Sequence, residues 1–184
     1  MFHELARKVT SEIALVLDTV EEEKVIELVQ SILEARQVVL VGAGRVGLAC
    51  KGFAMRLGHL GKTAFTIGDS TVPSVGKGDL LIVGSSSGET QTVYDVAALG
   101  KKKGTHIVLI TANPDSRMGK LADSVVVLRA PTKFGRGKGD DSIQPMATLF
   151  EQCLQIIFDM MVLLLMEKTN QGPKDLWARH TNLD

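Results

Sequence analysis

Cysteine is scarce, net charge is absent and no segment repeats, and each lack narrows what this chain can be. Only 2 cysteines occur in 184 residues, Cys50 and Cys153. Both lie within helical apolar patterns, where a buried free thiol is expected rather than a disulfide or a metal ligand. A reducing cytoplasm suits them. Lys plus Arg total 21 and Asp plus Glu total 21, so no global field draws the chain to nucleic acid or to an anionic membrane. Any recognition of an anion is therefore local. The stretch Met1 to Lys8 has no basic region followed by an apolar core, so no secretory signal is read there. No low-complexity tract interrupts the chain, and its length suits one domain with a substantial core.

What is present is a regular alternation of strand and helix. Residues 3–18 and 21–35 read as two amphipathic helices, the second opened by Glu21, Glu22 and Glu23, whose charge complements a helix N-terminus. Strands are expected at 37–41, 63–67, 80–83, 106–110 and 124–128, with helices between them. That pattern predicts an α/β fold in which a five-stranded parallel sheet carries helices on both faces. One domain over 1–184 is expected, with a helical preface (about 1–35) and a C-terminal helix and tail (about 144–184). The segment 131–141, rich in Gly and charge, reads as a mobile loop. A long helix starts near Pro145. Its stretch 147–166 is apolar enough to suggest a membrane span, but Glu151, Gln155 and Asp159 recur at helical spacing. A buried helix is expected there, part of it in a subunit interface.

The chemistry concentrates where the third strand ends. Leu80 to Val83 is a buried-strand run, followed by Gly84 and by Ser85, Ser86, Ser87, Gly88, Glu89 and Thr90 at the start of a helix. Hydroxyls, free backbone N–H groups and a helix dipole meet at that point, which suits an anion and above all a phosphate. Glu89 is awkward there unless it points away, although it also suits a first helical turn. A second turn, Gly42-Ala43-Gly44-Arg45-Val46-Gly47, matches the spacing of a dinucleotide site, with Asp69 as a distant acid in a loop. Its glycines equally allow a close backbone approach to a sugar, with Arg45 as the charged partner. On the helix that follows, Arg45, Gly52, Arg56 and His59 share a basic stripe. That stripe is either solvated or serves a neighbouring subunit, because His59 lies about 20 Å from the anion end of its helix. Glu151, in a mostly apolar helix, is either a general base or a solvated carboxylate on the polar stripe. His180 reads as a surface residue of the tail, His106 as structural and His3 as exposed.

Taken together, the motifs resemble the sugar isomerase (SIS) domain. Ser85, Ser87, Gly88 and Thr90 match its S-x-S-G-x-T phosphate loop. Further stretches resemble one branch, the 6-phospho-3-hexuloisomerases: Gly42-Ala43-Gly44-Arg45, Ile143-Gln144-Pro145-Met146, Leu149-Phe150-Glu151-Gln152 and Arg179-His180-Thr181-Asn182-Leu183. The resemblance implies a flavodoxin-like or Rossmann-like SIS fold. It also implies isomerisation of D-arabino-hex-3-ulose 6-phosphate to D-fructose 6-phosphate through a 2,3-enediol, in the ribulose monophosphate pathway of formaldehyde fixation. Neither a metal nor an organic cofactor is implied. Glu151 takes the place of the catalytic base and His180 that of a second catalytic group, while Gly44, Arg45 and residues 85–90 bind the phosphorylated ketose. Shared sites in a homodimer or homotetramer follow from the same resemblance. One departure is Val46, where the family usually has Ser. Another SIS-type isomerase, such as one acting on a heptose phosphate, and a sugar phosphate sensor without turnover are the alternatives. A DNA-binding sensor is disfavoured, since the residues before the first strand show no basic recognition helix.

Overall fold

The computed structural model describes residues 1–131 and 142–183, so the loop expected at 131–141 lies, apart from its first residue, outside the described residues. Two helices, α1 (Phe2–Leu17) and α2 (Glu22–Glu34), lead into β1 (Val38–Val41). Then follow α3 (Gly44–His59), β2 (Ala64–Thr66), β3 (Leu80–Gly84), α4 (Gln91–Lys102), β4 (His106–Thr111), α5 (Arg117–Leu121), β5 (Ser124–Val127), α6 (Thr148–Lys168) and α7 (Pro173–Trp177). The five strands lie in the order β2-β1-β3-β4-β5, every pairing parallel. The α/β sheet expected from the sequence is the sheet observed.

Because side chains alternate along a strand, each strand serves two cores. Val38, Leu40, Leu80, Ile82, Val108 and Ile110 face α1, α2, α3 and α6. Val39, Val41, Leu81, Val83, Ile107 and Leu109 face α4 and α5. The preface belongs to the first core, since Leu28, Val29 and Ile32 of α2 are fully buried. Phe53 of α3 stacks on Phe158 of α6, ring centroids 4.3 Å apart and planes 8° apart; burial of each ring stabilises the fold by about 1.5–3 kcal/mol.

α6 is a core helix along one side, with Phe150, Cys153, Leu154, Ile157, Phe158 and Met161 buried. Its other side is not covered among the described residues, where Met160 is 41% and Leu163 64% exposed. Both cysteines are buried free thiols, as expected. Burial pushes the Cys50 thiol up to about 12 and the Cys153 thiol to about 11, which keeps both protonated and inert.

Two helix starts differ from the sequence reading. α6 begins at Thr148, not near Pro145, because Met146 adopts a left-handed φ of 59° that no helix can pass through. α4 begins at Gln91, and Glu89 lies outside its first turn. At the N-terminal edge of the sheet, the buried Asp79 carboxylate accepts bonds from Arg36 Nε and Nη2 at 2.9 and 2.7 Å, Gln37 Nε2 at 3.0 Å and the Gly76 N–H at 2.8 Å. This clamp ties α2 to β3 at the end opposite the cleft described next.

Candidate active site

In the order β2-β1-β3, the chain leaves β1 for α3 on one face and leaves β3 for α4 on the other. A crevice must open between the C-terminal ends of β1 and β3, the switch point at which parallel α/β sheets bind ligands. A cleft of about 380 Å³ lies there, of the size that takes small molecules. Gly44, Arg45 and Val46 line it from α3, Ser85, Ser86, Ser87 and Thr90 from the loop after β3, and Thr148 and Glu151 from α6. A larger depression of about 790 Å³ at the other end of the sheet is lined by Glu22, Glu23, Glu27 and Asp123 beside Lys24 and His106, and its excess of carboxylates disfavours a phosphate.

The serine loop is held from behind by its carbonyls. Ser86 O accepts from the Ala112 N–H at 3.1 Å and Thr111 Oγ1 at 3.2 Å; Ser87 O accepts from Asn113 Nδ2 at 3.1 Å. Gly88 O accepts from the Met118 N–H at 3.3 Å, and Glu89 O from Arg117 Nη2 at 2.7 Å. With its acceptors engaged by the β4–α5 segment, the loop keeps donors in hand. The N–H groups of Ser86, Ser87 and Thr90 donate to nothing among the described residues. Ser85 Oγ and Ser87 Oγ accept from the N–H groups of Gly88 and Glu89, each at 3.2 Å, which leaves each hydroxyl proton to be donated. Such a set of donors is chemically suited to an anion such as a phosphate. Gly88 is required by the geometry: its φ is 66°, and a Cβ there would stand 1.9 Å from Ser116 Oγ.

Glu89 does not face an anion. Its carboxylate accepts from the Arg117 N–H at 3.0 Å and pairs with Arg117 Nε at 3.2 Å. Arg117 in turn stacks on the Tyr94 ring, 4.3 Å from its centroid. The residue that was awkward in the sequence is a rear brace of the loop, with its charge matched by Arg117. Among the residues grouped as substrate-binding, Glu89 and Gly88 thus shape the loop, whereas Gly44, Arg45, Ser85, Ser86, Ser87 and Thr90 border the cleft.

Across the cleft, Arg45 Nη1 pairs with Glu151 Oε2 at 2.9 Å and donates to Thr148 Oγ1 at 3.3 Å. Thr148 Oγ1 itself donates to Pro145 O at 2.7 Å. Glu151 is thus no solvated carboxylate: its side chain is 17% exposed, against 58% for Arg45. Val46, also buried, forms the floor; its Cγ1 would stand 2.7 Å from a Cβ placed on Gly84. The isopropyl group therefore fills the space between β1 and β3 that the glycine leaves open.

His180 is not in this cleft. Its ring lies 5.3 Å from that of His59 and 5.1 Å from that of Trp177, at the C-terminal end of α3, about 20 Å along the helix from Arg45. His59 itself is buried, with Arg56 Nη1 3.3 Å from its Nδ1. Burial, then Arg56, then His180 push the His59 imidazole below its ordinary value. The basic stripe is therefore not solvated throughout. Within one chain Glu151 and His180 stand apart. Asp69 is taken by Thr66 Oγ1 at 2.5 Å, at the end of β2.

A family model described as the SIS domain matches residues 31–160. The chain belongs to the SIS domain family. A 3-hexulose-6-phosphate isomerase of Bacillus subtilis is 38% identical over 165 residues, covering 90% of this chain and 89% of the relative. One of Mycobacterium gastri is 39% identical over 176 residues, covering 96% and 88%. Among solved structures, a Methanococcus jannaschii protein whose structure infers a molecular function of 3-hexulose-6-phosphate isomerase superposes with a TM-score of 0.85 at 30% identity, covering 98% of this chain and 99% of the other. A further crystal structure, of a hypothetical protein, gives 0.89 at 33% identity over 99% and 97%.

Several working parts of this SIS domain escaped the sequence. Asn113 and Ser116 carried a usable signal, since the loop after β4 must adjoin the loop after β3 in a parallel sheet. Thr148 and Arg117 carried none: each acts through a partner distant in the chain, 103 residues away for Thr148 and 28 for Arg117.

Proposed function

We infer that the chain interconverts D-arabino-hex-3-ulose 6-phosphate and D-fructose 6-phosphate, the reaction expected from its motifs and matching the name of its curated relatives. The observation that carries the reading is one cleft with a donor-rich loop on one wall and a carboxylate–guanidinium pair on the other. The phosphate does not react. Held by Ser85, Ser86, Ser87 and Thr90, it supplies binding energy that sets the sugar carbons against Glu151.

In this mechanism the carboxylate of Glu151 takes the proton from C2 of the 3-ketose, leaving a 2,3-enediol as its anion with the charge on O3. The proton of the O2 hydroxyl moves to O3, and as C2 becomes the carbonyl Glu151 returns its proton to C3. Arg45, paired to the base, stabilises the negative charge that develops on the oxygens. No change of redox partner is needed, since the carbonyl only moves from C3 to C2.

We further propose that a second copy of the chain completes the site with His180. The support is the separation of His180 from Glu151 in one chain and the uncovered apolar side of α6, where Met160 and Leu163 invite a homodimer or homotetramer contact. The experiment is fructose 6-phosphate formation by the purified protein from hexulose 6-phosphate made in place by an upstream aldolase. Absence of turnover refutes the reaction. Mixed oligomers of Glu151→Gln and His180→Ala chains are expected to recover activity, whereas Glu151→Gln with Ser87→Ala is not, because both of those residues border the same chain's cleft. Recovery in neither mixture refutes the shared site.

A further inference from the structure

α1 is attached to the body by its second half alone. Residues 2–8 are exposed, and Val16, with the partly buried Ile13 and Leu17, makes the apolar contact. On the same half stands Glu12, whose carboxylate gathers a segment 130 residues away. Ser142 Oγ donates to Glu12 Oε2 at 2.7 Å, the Ile143 N–H donates to Oε1 at 2.8 Å, and Gln144 Nε2 donates to Oε2 at 3.1 Å. Ser142 Oγ also accepts from the Gln144 N–H at 3.0 Å, so three consecutive residues wrap one carboxylate. Burial pushes the Glu12 carboxyl up, but the donors of Ile143, Ser142 and Gln144 outweigh it and hold the group below the usual carboxylate range.

The wrapped segment leads straight into the cleft. Pro145 O accepts a hydrogen bond from the Thr148 hydroxyl, Met146 turns the chain at φ 59°, and Thr148 Oγ1 accepts from Arg45 Nη1, the same nitrogen that pairs with Glu151. An unbroken line of polar contacts and short backbone links therefore runs from Glu12 to Glu151. The turn's own bonds at this point both end on one atom, Pro145 O, which accepts from the Thr148 N–H at 3.2 Å and from Thr148 Oγ1 at 2.7 Å. The placing of Pro145, and with it the start of α6, thus depends on what holds the residues before it.

We propose that Glu12 is a positioning residue for the isomerisation: its carboxylate fixes the turn at 142–144, and through Pro145 and Thr148 sets Arg45 and Glu151 against the sugar. The proposal rests on Glu151 being the base. It separates two quantities that a purely structural residue would move together. Phosphate binding belongs to the loop after β3, which shares no hydrogen bond with this network among the described residues. Loss of Glu12 therefore lowers kcat and leaves KM nearly unchanged.

The test uses Glu12→Ala and the conservative Glu12→Gln in the full chain, with steady-state kinetics, thermal unfolding and amide hydrogen exchange of residues 142–150 measured without substrate. Glu12→Ala is expected to lower kcat about tenfold, since an ångström of misplacement can cost more than that, with KM within about twofold. Exchange of 142–150 accelerates. Glu12→Gln keeps an acceptor for the Ile143 N–H and is expected to retain most of kcat. In a Thr148→Val background, Glu12→Ala has little further effect, because the link is already cut. If Glu12→Ala does not fold, Ser142→Ala, which removes one donor to the same carboxylate, carries the test with a smaller loss of kcat. Wild-type kcat or unchanged exchange in these variants overturns the proposal, as does a rise in KM equal to the fall in kcat. Accelerated exchange together with full turnover by Glu151→Gln is a different failure, in which the turn is latched but Glu151 is not the base.

Discussion

Replacing Gly88 with Ala tests whether the serine loop is shaped by what lies behind it. The new Cβ would stand 1.9 Å from Ser116 Oγ and 2.4 Å from Ser116 Cβ, far inside the contact distance of about 3.5 Å for such atoms. Ser116 cannot rotate clear, since its Cβ is fixed by a backbone that is buried and it caps α5 by accepting from the Gly119 N–H at 3.1 Å. A positive φ at Ala adds about 1–2 kcal/mol, and loss of the cap about 1 kcal/mol. The total is about 2–3 kcal/mol of stability. Function falls by a separate route. If the loop withdraws far enough to lose one hydrogen bond to a charged phosphate, worth about 1.5–3 kcal/mol, KM rises about 10- to 100-fold. Chemical unfolding reads the first quantity and isomerase kinetics the second. Adding Ser116→Gly removes the obstructing atoms, so the double variant should recover KM while keeping the strain at position 88. Simple additivity of the two substitutions, or Gly88→Ala with unaltered KM and stability, would refute the argument.

Other outcomes follow from the same geometry. Glu151→Gln should reduce kcat about 10²–10⁴-fold while fructose 6-phosphate still binds, measured by calorimetry; retained turnover would remove it as the base. Asp79 is held at about 2, below its ordinary 3.8, by the Arg36 hydrogen bonds, which outweigh its burial, with help from Gln37 and the Gly76 N–H. That shift contributes about 2 kcal/mol, present above pH 3.8 and lost as the pH falls through 2. Asp79→Asn should flatten this share of the acid unfolding curve, and an unaltered curve would contradict the clamp. Val46→Ser, which supplies the hydroxyl that the family resemblance implies, should cost about 1 kcal/mol of packing and lower KM; a raised KM would show that the isopropyl floor suits the substrate better than a hydroxyl.

The strands were legible because a parallel sheet buried on both faces demands continuous apolar runs, as at Val38–Val41 and Leu80–Val83. The position of the serine loop beside the cleft was legible for a related reason: it had to follow the central strand. What sequence could not show was the orientation of side chains governed by distant partners. Glu89 looked unfit for its place until Arg117 was seen beside it. Pro145 looked like a helix start until Met146 proved left-handed. Glu151 and His180 were grouped by resemblance alone, and the fold sets one at the mouth of the cleft and the other against His59 and Trp177.

The two walls of the cleft exchange no hydrogen bond among the described residues: the serine loop leans on residues 111–118, and the Glu151 wall on Arg45, Thr148 and the turn before α6. Under the proposed mechanism, handle and tool are thus separately replaceable. A lineage that altered α6 and the turn before it could redirect proton transfer to a different carbon, or give it up for binding alone, without relearning how to hold a sugar phosphate. The same partition offers a design rule, in which substitutions that retune chemistry go on α6 and those that change chain length of the sugar go on the floor between the walls, where Val46 already sits.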